Sequence, residues 1–138
     1  MRKLWSLSLA LVGITALSSC GALDALGSGR LARGTFELRT VNGVRIPAVL
    51  YTEPGYRIEV LNANFTLEDD GTYSEAGIIR ETVNGSASTS SSSSYGTYDY
   101  FNGDITFYES SGRRYYGRLS GSTLIIEDQG LTMEYQRF

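Results

Sequence analysis

The sequence predicts an all-β fold, an antiparallel up-and-down meander closing into a barrel of about eight strands. Seven turn dipeptides cut the chain after Gly34: Asn42-Gly43, Asp70-Gly71, Asn84-Gly85, Asn102-Gly103, Ser111-Gly112, Ser120-Gly121 and Gln129-Gly130. Such pairs supply the positive φ that tight hairpins require. The runs between them are rich in Tyr, Phe, Thr, Ile and Val and alternate in polarity, which suits half-buried strands. Gly103, Gly112, Gly121 and Gly130 recur every nine residues. That is the metre of hairpin-linked strands rather than of crossover units. A meander of this length must close or leave two unprotected edges, and closure is the economical solution.

Three regions are expected: a lipoprotein signal peptide at 1–19, a lipidated Cys20 with a flexible tether at 20–33, and the barrel at 34–138. Met1-Arg2-Lys3 precedes an uncharged, largely apolar run from Leu4 to Leu17, then Ser18-Ser19-Cys20. A basic head, an apolar stretch and small residues before a cut make an export signal. The apolar run covers about 21 Å as a helix, too short to cross a hydrocarbon core of about 30 Å. Leu17-Ser18-Ser19-Cys20 resembles the bacterial lipobox, and it holds the only cysteine of the chain. The resemblance implies diacylglyceryl modification of the Cys20 sulfur, cleavage before Cys20 and acylation of the new amine. A membrane would then be a partner through that anchor, because several acyl chains bind durably. Gly21, not Asp, follows the cysteine, which by the sorting rule of such lipoproteins favours the outer membrane where there is one.

Within the barrel, alternation assigns faces. Phe36 and Leu38 share one side of the first strand, with Glu37 and Arg39 on the other. Ile58 and Val60 share a side, but Ala63, Phe65 and Leu67 continue in the opposite phase, so a bulge is expected near Asn62. Ile105 with Phe107, Tyr115 with Leu119, Leu124 with Ile126, and Leu131 with Met133 and Tyr135 complete the inner face. Pro47 cannot donate to a ladder, so residues 46–52 should form an edge or irregular strand. Ser86 to Ser94 comprises seven Ser, one Ala and one Thr. With so little apolar surface to offset ordering entropy, it is expected to be a flexible loop over one end.

Gly34-Thr35-Phe36 opens the first strand and Arg137 lies one residue from the end of the last. This is similar to the calycin signature of lipocalins, with Phe36 where a Trp is usual. The resemblance implies a lipocalin-like barrel in which Gly34, Phe36 and Arg137 form a barrel-closing group, the arginine packing over the ring. The phrasing from Gly34 to Pro47, with Asp70 to Tyr73 and Ser120 to Leu124, resembles small bacterial lipocalin-like lipoproteins, and implies binding of a small ligand.

Composition narrows the chemistry. The 138 residues include no His, and the only lysine, Lys3, falls within residues 1–19. Loss of that segment removes Arg2 and Lys3 and moves the formal charge from −3 to −5. With Cys20 acylated, no thiol, imidazole or amine side chain is left for nucleophilic or acid–base work or for His/Cys metal sites. The protein is therefore expected not to be an enzyme, with no cofactor and no metal. An acidic chain without lysine lacks the basic footprint of a nucleic-acid binder.

The ten tyrosines suit a wall that is half packing and half polar handle. Tyr73, Phe107, Tyr115, Met133 and Tyr135 are the candidate ligand-lining residues, for a small apolar or aromatic ligand. Glu75 and Glu81 share the parity of Tyr73 and Ile79, and so reach the cavity or its mouths unless a bulge at Gly77 turns one outward. Glu68-Asp69-Asp70-Gly71 lacks the alternating acids of a calcium loop and reads as a hairpin tip. The alternative to ligand binding is an envelope interaction module. Ser110 to Tyr115 resembles the Ser-Gly-x-x-Tyr loop of periplasmic lysozyme inhibitors of the C-type-directed family.

Overall fold

A computed structural model of the protein describes residues 32–138; the signal segment, Cys20 and most of the tether lie outside the described residues. Ten strands follow in order: β1 (Gly34–Val41), β2 (Val44–Arg45), β3 (Ala48–Glu53), β4 (Tyr56–Leu67), β5 (Thr72–Val83), β6 (Ser86–Phe101), β7 (Asp104–Glu109), β8 (Arg114–Ser120), β9 (Thr123–Asp128) and β10 (Leu131–Arg137). From β4 to β10 each strand pairs antiparallel with the next. β10 pairs with β1, and Gly34–Glu37 of β1 pair with Leu67–Asn64 of β4. That last pairing closes an eight-strand ring, as the hairpin metre predicts.

Closure is confined to one end. Beyond Glu37 the strands β1 and β4 part, and the gap is filled by β2 on β1 and by β3 on β4. Together β3, β4, β5 and the first half of β6 form a four-stranded flap that rises beside an open mouth. Pro47 stands between β2 and β3, and β3 is an edge strand paired only through β4. The expected bulge is present: the β4–β5 register slips between Val60 and Asn62. Leu61 is the extra residue, so Val60, Ala63, Phe65 and Leu67 all point inward and are buried. Gly77 sits opposite this step, where a Cβ would lie 2.6 Å from the Asn62 carbonyl oxygen.

One expectation is overturned. Ser86 to Ser94 is not a loop over the barrel but the first half of β6, paired residue by residue with β5 from Val83↔Ser86 to Glu75↔Ser94. Composition misleads here because ladder hydrogen bonds belong to the backbone. Asn84 (φ 48°) and Gly85 (φ 84°) make a two-residue turn whose twist suits a hairpin. With the register set there, β5 presents an unbroken template, and serine needs no burial to follow it.

The core fills the closed half. Phe65, Tyr73, Phe107 and Tyr115 lie face to face or edge to face, with ring centroids 4.9–6.1 Å apart. Such offset and edge geometries suit the ring quadrupoles. Turn acids behave as turn residues: Asp70 accepts hydrogen bonds from the Thr72 N–H (2.9 Å) and hydroxyl (2.6 Å).

Candidate functional site

The mouth holds a cavity of about 110 Å³ between the barrel wall and the base of the flap. Its apolar walls come from Leu38 of β1, Leu50 of β3, Val60 and Ala63 of β4, Ile79 of β5 and Met133 of β10. Two irregularities put them there. The Leu61 bulge keeps both halves of β4 facing inward, and a second register slip between Val49 and Tyr51 sets Leu50 against the core. Ser92 and Ser93 of β6 complete the rim.

The floor is polar. Tyr135 is fully buried, and its hydroxyl donates to Glu75 Oε1 at 2.7 Å. The other carboxylate oxygen accepts from the Ser94 hydroxyl at 3.3 Å. The Met133 sulfur lies 3.9 Å from the Tyr135 oxygen. A carboxylate can accept about four hydrogen bonds, so Glu75 keeps acceptor capacity toward the cavity. Burial, then the neighbouring Glu75 carboxylate, pushes the Tyr135 phenol well above its ordinary value. It therefore stays a donor throughout the working range of pH.

The candidate lining residues divide at this floor. Met133 and Tyr135 line the cavity. Tyr73, Phe107 and Tyr115 are brought together beneath it, where they pack on one another. Burial raises the pKa of both Tyr73 and Tyr115. Their hydroxyls are close enough to influence one another's titration, yet neither has a partner in hydrogen-bond geometry. Glu75 lies inside as its parity suggests. Glu81 lies farther out on the same face of the flap, where its carboxylate beside Tyr56 pushes that phenol above its ordinary value. Tyr56 meets Tyr51 edge to face at 5.9 Å.

Gly34, Phe36 and Arg137 meet at the opposite, closed end. Phe36 and Arg137 are register partners, and the guanidinium carbon lies 4.9 Å from the ring centroid. Arg137 packs over the ring as the resemblance implies, but is itself exposed at the rim and covers the ring from outside. A Cβ on Gly34 would come within 3.1 Å of that guanidinium. Ser110 to Arg113 forms the β7–β8 turn, and Arg114 and Tyr115 already belong to β8. Ser111 donates to Glu109 at 2.5 Å, while Arg113 pairs with Glu109 and Asp128. Arg113 first, then Ser111, holds the Glu109 carboxyl below the usual carboxylate range.

Two groups escaped the sequence reading. Ser92, Ser93 and Ser94 reach the mouth only because their segment is a strand. Glu59, 7% exposed, points to the outer side of the flap between Arg57 (2.7 Å) and Arg80 (2.8 Å). Arg57 shares its strand face at a spacing of two residues, but Arg80 is brought opposite only by the β4–β5 register.

No family model and no curated protein matches the chain. Among solved structures, the crystal structure of the Cpx pathway activator NlpE from Escherichia coli is similar, with 29% sequence identity and a TM-score of 0.37. The match covers 59% of this chain and 40% of that one, so the chain spans less than half the length of that protein. The overlap is partial, and the eight-strand closure rests on this chain's own strand pairings.

Proposed function

We propose that the protein is a non-catalytic, lipid-anchored binding module of the cell envelope. Its lipocalin-like barrel would hold one small apolar or aromatic group in its mouth. The observation that carries this reading is the cavity of about 110 Å³ with apolar walls and a floor made by Tyr135 and Glu75. Drug-sized ligands occupy pockets of about 300–1,000 Å³, whereas an apolar void of about 150 Å³ takes a single benzene ring. At about 110 Å³ the mouth is smaller than either, and takes a chain end or the leading edge of one ring rather than a whole carried ligand. Glu75 favours a group bearing an N–H or O–H donor. The Phe36–Arg137 pair supports the calycin likeness, and the signal segment ending in Cys20 supports the anchor and the envelope location.

Native mass spectrometry of protein extracted gently from membranes tests the reading. The expected result is a bound small molecule that Val60→Trp, which fills the mouth, displaces. Protein free of any adduct, together with indifference of its stability to small aromatic probes, would remove the ligand reading. The anchor is tested separately: Cys20→Ala should release the protein from the membrane fraction.

A further inference from the structure

The flap has two edges, and they are built differently. β3 is preceded by Pro47, broken by a register slip and carries Glu53, the devices by which natural sheets blunt an exposed edge. β6 has none of them. From Ser86 to Ser94 it has no proline, no charge and no bulge, and its register against β5 is continuous. β7 takes up pairing with β6 only from Gly96 onward.

The direction of the free groups follows from one hydrogen bond. The Ser110 N–H donates to the Tyr95 carbonyl at 3.0 Å, so Tyr95 turns its peptide groups away from β5. Strand alternation then places the N–H and C=O of Ala87, Thr89, Ser91 and Ser93 on the outer edge. Along that edge no described strand runs.

We propose that this edge pairs with the same edge of a second copy of the chain, joining two flaps into one continuous antiparallel sheet. The occupant is argued from self-complementarity. Small, uncharged side chains offer nothing by which to select a foreign sequence, but they face their own two-fold mate without clash or like-charge contact. The cross-strand neighbours on β5 bring Arg80 beside Thr89 and Glu81 beside Ser88, so the charges stand one strand back from the seam. Geometry also limits the register. Outward-turned residues must meet outward-turned residues, so the two-fold axis passes through a residue. The hairpin tip at Asn84-Gly85 must clear the β7–β8 turn beside Tyr95, so the axis lies at Ser88 or Thr89; an axis at Ser90 would set Gly85 against Tyr95, whose carbonyl Ser110 already occupies. The arrangement does not depend on the ligand reading or on the anchor.

Cysteines introduced one at a time at 88, 89 and 90 in the full chain, oxidised in membranes of the producing cells beside the unsubstituted chain as the blank for Cys20, test this. At the axis, identical residues face each other with Cβ atoms about 5 Å apart. One step off the axis they are about 8 Å apart, beyond disulfide reach of about 7 Å between Cα atoms. The expected result is a species of twice the mass, formed at 88 or at 89 at least about tenfold more than at the neighbouring positions. Adding Ser91→Pro, which removes an outward N–H and leaves the β5 ladder intact, should abolish it without changing the melting temperature. No doubled species at any of the three positions overturns the proposal. So does equal reaction at all three and at Tyr116→Cys on the far wall, or an adduct with a protein of another mass.

Discussion

Three buried tyrosines differ in one respect, and a Tyr→Phe series isolates it. The Tyr135 hydroxyl donates to Glu75 at 2.7 Å, whereas those of Tyr73 and Tyr115 have no partner in hydrogen-bond geometry. All three side chains are within 4% of full burial, so the substitution leaves packing nearly unchanged. A buried hydroxyl without a compensating hydrogen bond costs about 1–3 kcal/mol. Tyr115→Phe should therefore be neutral or stabilising, by up to about 1 kcal/mol once residual attraction to Tyr73 is set against that cost. Tyr135→Phe removes a hydrogen bond to a carboxylate, worth about 1.5–3 kcal/mol. Urea unfolding followed by circular dichroism at pH 7 reads both, and in a domain of this size 1 kcal/mol moves the melting temperature by about 4 °C. The double variant Tyr73→Phe with Tyr115→Phe should gain more than the sum of the two single variants, because the mutual attraction of the hydroxyls is lost once in the double but counted twice in the sum. Equal losses at Tyr115 and Tyr135 would refute the assignment of a satisfied floor above an unsatisfied core.

Further outcomes follow from the same geometry. Glu59, Glu109 and Asp70 have pKa values lowered by hydrogen bonds from Arg80, Arg113 and Thr72 respectively. Each contributes stability that is present above the unfolded-state value and lost as pH falls through the folded one, so melting temperature should drop below about pH 4. With no His in the chain it should be flat from about pH 5.5 to 8. Above about pH 10 it should fall again, because Tyr73, Tyr115 and Tyr135 resist ionisation only in the fold. Gly96→Ala would put a Cβ 2.0 Å from the Tyr108 carbonyl oxygen and should cost more than about 3 kcal/mol in chemical unfolding. Gly121→Ala, at φ 60° with nothing within 4 Å, should cost only about 1 kcal/mol. Arg137→Ala, which uncovers Phe36, should lower stability by about 0.5–2 kcal/mol in the same assay.

How much was legible depended on whether a feature lives in local pattern or in register. The hairpin glycines and the alternation of residues such as Ile105, Phe107, Leu124 and Ile126 state the meander outright, and the phase change between Val60 and Ala63 locates the bulge to within a residue. The serine segment was misread because entropy arguments weigh side chains, while a hairpin partner already ordered supplies the backbone bonds. The mouth was half legible. Parity places Glu75 and Tyr135 inside, but only the register of β1 against β10 and β4 against β5 brings them to one floor. Tyr73 and Phe107 share that inner face too. Their packing beneath the floor reflects the volume of four rings in a narrow ring of strands, which alternation cannot express.

Among the described residues the barrel is packed below its floor and opens at its mouth. Met133 reports on it directly, since the chain contains only two methionines and the other is Met1. Methyl-labelled methionine NMR during titration with phenol, one ring bearing one O–H donor, measures this. The expected result is a saturable shift of the Met133 methyl signal that Val60→Trp abolishes, with aromatic signals of Phe107 and Tyr73 unmoved. An unmoved Met133 methyl, or shifts that spread through Phe107 and Tyr73, would contradict it.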